Sequence, residues 1–419
     1  MTVTTQVSHS GVPYAAGAIL PDTEAHLRKL AEARRHIRDR QAAGAPLYNV
    51  SGLERGLPLP DDVDPWVLDD EWAGALYAEA VRTHGLDHLG GTPDRHDVFV
   101  ANRLTAALFA AMQVTVRPGS TVVGVSATHS HPAVVRAVRD AGGRLVETVG
   151  AAAGVQALHE HDDVSVVALT RLAVTYDALD EDDLRRVIEA AQARQAVVVI
   201  DDAGGARVGP AVLGQPRTLE LGADLGATGL DKYGISGPRV GLLGGRIDLV
   251  ARAQARSFEL GSECRPALYP AVARSLEEYR PQRVRDLVAS TKLVGRALRA
   301  RLGDRVVEET PFISRLPGEA IRAELIRRAG AGAVDLAPIE ATAAVAMIML
   351  RDHGLLTVHF AGMPPGTSAL LIKFLPAETV TAVGGPEAFA ATVDTAFDAA
   401  AAYLTDPGAV RRLILGATA

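Results

Sequence analysis

Lysine is scarce in this sequence. Of 43 basic residues only four are lysines (Lys29, Lys232, Lys292 and Lys373), and the other 39 are arginines. Arginine keeps its proton in proteins, so any amine chemistry has four candidates. Cysteine is scarcer still. Cys264 stands alone, which excludes an internal disulfide and any multi-cysteine zinc or iron–sulfur centre, and favours a reducing compartment. Excess positive charge is absent too: the net charge of −7 argues against a nucleic-acid-binding surface. No apolar run approaches the roughly 20 residues needed to span a bilayer. The opening residues lack the basic start and apolar centre of a signal peptide. These absences together predict a cytoplasmic protein that engages neither membrane nor nucleic acid.

What is present is an ordinary globular composition, 48% hydrophobic and 22% charged, over 419 residues, more than one core usually holds. After an N-terminal segment with helices (residues 1–85), short apolar runs alternate with helical stretches. The runs are Val98–Val100, Thr121–Val125, Arg144–Val149, Val164–Leu169 and Val197–Ile200. Helices are clearest over Arg103–Val114, Pro132–Ala141 and Glu181–Gln195. Such alternation predicts an α/β domain with a mostly parallel, doubly wound sheet over residues 86–284. From residue 285 to 419 the texture changes to a smaller α+β domain, with a long helix and strand candidates at Ala343–Leu350, Leu355–Phe360 and Ala369–Phe374.

The sharpest chemistry lies between Val197 and Gly245. The strand Val197–Ile200 ends in Asp201-Asp202-Ala203-Gly204-Gly205, and ligands of parallel α/β sheets bind beyond the carboxyl ends of strands. Lys232 follows in a loop rich in glycine and serine that suits close approach to a ligand. Taken singly, a lysine is a solvated charge and a strand-end aspartate a cap or turn residue. Strand-end carboxylate, spacing and glycine-flanked lysine together resemble the fold-type-I pyridoxal phosphate enzymes. The resemblance implies a Schiff-base lysine, Lys232, desolvated enough to act as a neutral amine. It also implies a carboxylate, Asp201 rather than Asp202, that keeps the pyridine nitrogen protonated, with Ala203 packing beneath the ring.

Further candidates follow from this resemblance. Asn102, Arg103 and Thr105 open a helix whose free N–H groups suit the cofactor phosphate. His131-Pro-Ala-Val resembles the segment whose imidazole stacks on the ring in relatives of the cysteine desulfurases, with His129 as substitute. The His129/His131 pair lacks the further ligands a metal site needs, so no metal is expected. Arg171 at a strand end, Arg265 reaching a partner's site, and Lys373 near the C-terminal strand are candidates for binding a substrate anion. Cys264 has no visible activator and is expected to be inert, and Lys29 and Lys292 look like surface charges on helices.

Within fold type I the pattern is similar to the selenocysteine synthase-like and class V aminotransferase-like group. It is carried by Tyr48-Asn-Val-Ser-Gly52, His88-Leu-Gly-Gly91, Asn102-Arg-Leu-Thr-Ala-Ala107, Asp201-Asp-Ala-Gly-Gly-Ala-Arg207, Glu263-Cys-Arg-Pro266 and Gly362-Met-Pro-Pro-Gly366. The resemblance implies an enzyme that forms a Cα carbanion on an amino-acid-like substrate, with β-elimination or β-replacement as the outcome. Transamination is the alternative, and a catalytically quiet cofactor- or partner-binding protein is a third. It also implies a homodimer or higher homo-oligomer.

Overall fold

Alternating residues of single strands serve two different cores in the computed structural model, which describes residues 16–61, 63–332, 334–361 and 366–417. In chain order the first elements are α1 (Thr23–Ala42) and β1 (Tyr48–Asn49). The sheet region then runs α2 (Asp70–Leu89), β2 (His96–Ala101), α3 (Leu104–Thr115), β3 (Thr121–Ser126), α4 (Pro132–Asp140), β4 (Arg144–Val149), α5 (Gly150–Glu160) and β5 (Val164–Thr170). It continues through α6 (Glu181–Ala193), β6 (Val197–Asp201), α7 (Gly205–Val208), β7 (Leu225–Gly229), β8 (Gly241–Arg246), α8 (Ile247–Glu259) and α9 (Tyr269–Glu277). The last passage is α10 (Pro281–Leu302), β9 (Glu308–Glu309), β10 (Ser314–Leu316), α11 (Gly318–Ala329), α12 (Pro338–His353), β11 (Leu355–Leu356), α13 (Val358–Ala361), β12 (Leu370–Ile372), α14 (Ala377–Ala382), α15 (Pro386–Tyr403) and α16 (Pro407–Leu415).

The chain divides into two units, residues 54–285 and residues 1–53 with 286–419. The sheet unit holds seven strands in the order β2-β8-β7-β6-β5-β3-β4, and β8 alone runs against the rest. Val122, Val166 and Val199 face a core with α3, α4 and α8, whereas Val123, Val167 and Val198 face α5 and α6. A sheet covered on both faces needs strands apolar on both, which is why β5 is buried throughout. Helix α6 shows the local logic: Asp180 caps Asp183 N, acidic residues fill the first turn, and Leu184, Val187, Ile188 and Ala191 form the buried stripe.

The other unit is built around α12, in which every residue from Ile339 to Leu350 is buried. An antiparallel sheet of order β12-β10-β9 and a parallel pair β1–β11 belong to it. Three expectations change here. Ala343–Leu350 is helix rather than strand, because an apolar run buried on all sides has lost its period. Of Leu355–Phe360 only two residues are strand, and α13 begins at Val358. The N-terminal region is not a segment of its own: of its described residues, those up to 53 pack with the C-terminal unit and those from 54 to 85 with the sheet unit.

Lys29 is not a surface charge but fully buried, while Lys292 pairs with Glu309 at 2.6 Å. The turn expected at Gly362-Met-Pro-Pro lies outside the described residues. Among the described residues no helix is long and apolar enough to cross a membrane.

Candidate active site

Because β8 is antiparallel to its neighbours, its first residue lies level with the last residues of the strands beside it: Gly241 is in register with Ala101 of β2 and Gly229 of β7. Asp201 is level with Thr170 and Ala227. One edge of the sheet therefore gathers the segments after β2, β3, β5, β6 and β7. From β3 the chain turns outward to β4, and from β5 it turns the other way to β6, so the strand order reverses between β3 and β5. Crevices at such a reversal are where α/β sheets bind ligands. Thr128 and Thr175, from the segments after β3 and β5, join hydroxyls at 3.0 Å.

Asp201 closes β6 and is 4% exposed. Its Oδ1 accepts the Ala203 N–H at 3.3 Å. Burial raises its carboxyl to about 6, against the downward pull of Lys232. Asp202 is committed elsewhere: it pairs with the Arg171 guanidinium at 2.9 Å and accepts from Thr218 Oγ1 at 2.6 Å, fully buried. Of the two carboxylates only Asp201 has no cationic side chain at ion-pair distance among the described residues. This corrects the expectation for Arg171, which is sealed in that ion pair and donates to Pro216 O at 2.8 Å rather than meeting a substrate.

Lys232 lies in the connection from β7 to β8, with its side chain 18% exposed and Nζ 4.0 Å from Asp231 Oδ1. Burial is the main influence and lowers the amine; Asp231 and Asp201 oppose it, whereas Arg207 and Arg239 add to it. Asp231 is itself held by Arg55 at 3.1 Å. A Cβ on Gly229 would lie 2.8 Å from Lys232 Cε, so the glycine leaves room for the amine's stem. Tyr233 follows at φ 56°, and its hydroxyl hydrogen-bonds that of Tyr176, also left-handed at φ 66°.

His131 is the N-cap of α4, and its Nδ1 accepts the Ala133 N–H at 3.0 Å, which places the proton of the neutral ring on Nε2. Burial first, then the charge of Lys232, lower it to about 3. A neutral imidazole is the form that presents an unburdened ring face. Across the edge, α3 begins with Arg103 as N-cap and no side-chain cap hydrogen bond, so its first N–H groups stay open. Asn102 and Arg103 are exposed and Thr105 half-buried. A Cβ on Gly241 would lie 2.6 Å from Leu104 Cα and 2.7 Å from Arg103 O, so β8 reaches this helix start only because residue 241 is glycine.

Two further groups stand in the motifs His88-Leu-Gly-Gly91 and Asp201-Asp-Ala-Gly-Gly-Ala-Arg207, but the sequence assigns them no role. Arg207 is fully buried, donates to Ala203 O at 2.8 Å and lies 3.3 Å from His88 Nε2. His88, lowered to about 3 by burial and then by Arg207, remains a neutral acceptor. Together they fix the backbone of Ala203, the residue expected beneath the ring.

The remaining candidates are placed otherwise. Arg265 is on the surface, its guanidinium on Asp70 at 2.9 Å. Lys373 belongs to the other unit, 3% exposed and packed on Gly52, so it does not point to solvent. Cys264 is buried, with its thiol pushed up to about 12 by burial. No cluster of three or more metal-ligating side chains occurs among the described residues. A buried carboxylate without a cationic partner, a desolvated amine, a neutral imidazole and an uncapped helix start with a glycine-cleared approach fit an aromatic cofactor that carries a cation at one end and a phosphate at the other.

No family profile matches the chain. It is 32% identical over 371 residues to a protein of Methanothermobacter thermautotrophicus named "UPF0425 pyridoxal phosphate-dependent protein", covering 88% of this chain and 92% of that one. A protein of the same name from Methanosphaera stadtmanae is 28% identical over 322 residues, covering 76% and 80%. Among solved structures, a chain from a complex of SepCysS with the N-terminal domain of SepCysE superposes with a TM-score of 0.57 at 12% identity. That match covers 84% of this chain and 95% of the other, a likeness of fold.

Proposed function

The chain belongs to the UPF0425 family of pyridoxal phosphate-dependent proteins, and from that premise we propose that it is an enzyme that removes a proton from Cα of an amino-acid-like substrate, with loss or exchange of a group on Cβ. Bound at the sheet edge, the cofactor supplies an electron sink for the carbanion. Lys232 is the residue that would hold its aldehyde end and would move the proton at Cα of the substrate. Its desolvation favours the neutral base that this task needs. Asp201 accepts a hydrogen bond from the ring nitrogen; a cation there draws its raised carboxyl back to the charged form. His131 would cover one ring face and Ala203 the other, and the N–H groups at the start of α3, with Asn102, Arg103 and Thr105 beside them, would hold the phosphate. A second copy of the chain is the proposed partner, with Arg265 its contribution to substrate binding.

The observation that carries this reading is the pairing of Asp201, buried and among the described residues without a cationic side chain at ion-pair distance, with Lys232 one strand away. Borohydride reduction of the holoprotein followed by peptide mapping tests it. Label on Lys232 is expected; label on Lys29, Lys292 or Lys373 overturns the assignment. Incubation with candidate amino acids then separates the reactions. Keto acid plus a released β-substituent marks elimination, and conversion of the cofactor to its amine form marks transamination. A protein that is labelled at Lys232 and turns over no amine is a quiet cofactor-binding protein.

A further inference from the structure

The unit formed by residues 1–53 and 286–419 holds a second concentration of chemistry, none of it used above. His26 and Lys29, three residues apart on α1, share a helix face. Thr357 and His359 come from the turn after β11 and from α13. Four atoms here are buried without a hydrogen-bond partner: His26 Nδ1, Lys29 Nζ, Thr357 Oγ1 and His359 Nδ1. Lys29 is 0% exposed, and Thr357 and His359 1% each. The Lys29 charge acts on both imidazoles, and His26 acts on His359, so the three form one electrostatic group. The Lys29 ammonium lies 5.8 Å from the Phe360 ring centroid, and among the described residues no carboxylate reaches ion-pair distance of it. Asp22, the cap of α1, acts on His26 but spends its Oδ1 on Ala25 N at 2.8 Å.

Buried polar atoms are almost always paired, and a buried ammionium without a partner is costly. Four such atoms from two stretches of chain remote in sequence need an explanation at one place. Three of them, on Lys29, Thr357 and His26, can offer a proton to an acceptor. Lys29 and Thr357 do so directly. His359 commits its Nε2–H to Ala369 O at 3.2 Å, and burial lowers the ring to about 3, so its bare Nδ1 is an acceptor. Burial lowers the Lys29 amine to about 7, and an anion beside it would draw it back to the charged form, so that with both imidazoles neutral one ammonium balances one negative charge.

We propose that His26, Lys29, Thr357 and His359 form a binding site for a small monovalent carboxylate, separate from the Lys232 site. The ammonium of Lys29 provides the charge, the hydroxyl of Thr357 and the Nδ1–H of His26 complete the hydrogen bonds to the carboxylate, and His359 Nδ1 accepts one of the remaining ammonium protons.

Calorimetric titration of the holoprotein with formate and acetate, with chloride and sulfate at equal ionic strength as comparisons, tests this. Saturable carboxylate binding is expected, retained in Lys232→Ala, which separates it from the Lys232 site. Lys29→Met, which keeps the stem and removes the charge, should weaken binding at least tenfold, and Thr357→Val, of nearly the same shape, should weaken it severalfold. Two variants guard against loss of fold, and each is checked by thermal unfolding. Absence of saturable binding, which would leave water as the partner of these groups, overturns the proposal. So does binding unchanged in Lys29→Met, or chloride or sulfate binding as tightly as formate.

Discussion

Gly241→Ala isolates the phosphate end of the proposed cofactor site from its lysine. The added Cβ would lie 2.6 Å from Leu104 Cα and 2.7 Å from both Arg103 O and Leu104 N, where carbon contacts are ordinarily about 3.5–4.0 Å. All three neighbours are backbone atoms, so no rotamer change relieves the clash. The start of α3 and the start of β8 must separate by about 1 Å, and overpacking of this kind costs about 1–3 kcal/mol. If that displacement falls on the N–H groups that bind phosphate, affinity for pyridoxal phosphate drops about 5- to 150-fold. The assay is a titration of apoprotein followed by cofactor absorbance, run in parallel with pyridoxal, which lacks the phosphate. Gly241→Ala should weaken the phosphorylated compound and leave pyridoxal nearly unchanged. Gly244→Ala is the control on the same strand: its Cβ meets the side-chain tips of Leu89 at 2.5 Å and Val98 at 3.0 Å, which can turn aside. Equal losses for pyridoxal and pyridoxal phosphate, or no greater loss than in Gly244→Ala, would refute a phosphate site at the start of α3.

Three other outcomes follow from groups at the sheet edge. Asp201 is raised from 3.8 to about 6 in the protein, so between those values the native apoprotein holds the extra proton. Its stability should fall by about 2 kcal/mol as pH rises from 4 to 6, a slope missing from Asp201→Asn in chemical denaturation at stepped pH. Arg171→Met strands the fully buried Asp202 carboxylate and should cost about 3–5 kcal/mol by the same method; Arg171→Met/Asp202→Asn should recover at least half, and no recovery would deny the coupling. His131→Ala should loosen cofactor binding about 2- to 12-fold through lost stacking, with recovery in His131→Phe; equal losses in both would place the imidazole elsewhere.

The sheet unit was legible because its period survives in the sequence: apolar runs alternate with amphipathic helices, and Asp201 and Lys232 follow strands where a ligand belongs. The other unit was not. Ile339 to Leu350 is buried around the whole helix, so its residues carry neither a period of 3.6 nor of 2. The packing of residues 1–53 with 286–419 is a contact across the length of the chain, which no local pattern records. Lys29 was hidden by its neighbours: Glu24, Arg28, Glu32 and Arg35 suggest a solvated helix. The signal lay one turn away on either side, in Ala25 and Ala33, which with Lys29 and His36 form the buried stripe of α1. Arg171 and Arg207, two among 39 arginines, carried no mark of burial at all.

The skew between the two basic residues acquires a physical meaning once their positions are known. Arg171 sits in an ion pair with both side chains at most 1% exposed, a place where the charge must survive desolvation, and a guanidinium survives it. Arg207 keeps its charge beside a neutral His88, again without exposure. Lysine answers the opposite need, since burial can strip its proton. Lys29 is lowered to about 7 by burial, and Lys232 is lowered chiefly by burial as well. Of the other two, Lys292 is held by Glu309 and Lys373 is packed against Gly52. Lys292 in its ion pair keeps a charge as an arginine would, whereas at Lys29 and Lys232 burial favours the neutral amine and a ligand can restore the charge. Lys29, unpartnered among the described residues, and Lys232, beside Asp231, are thus the two amines whose protonation a bound anion or carbonyl compound would change.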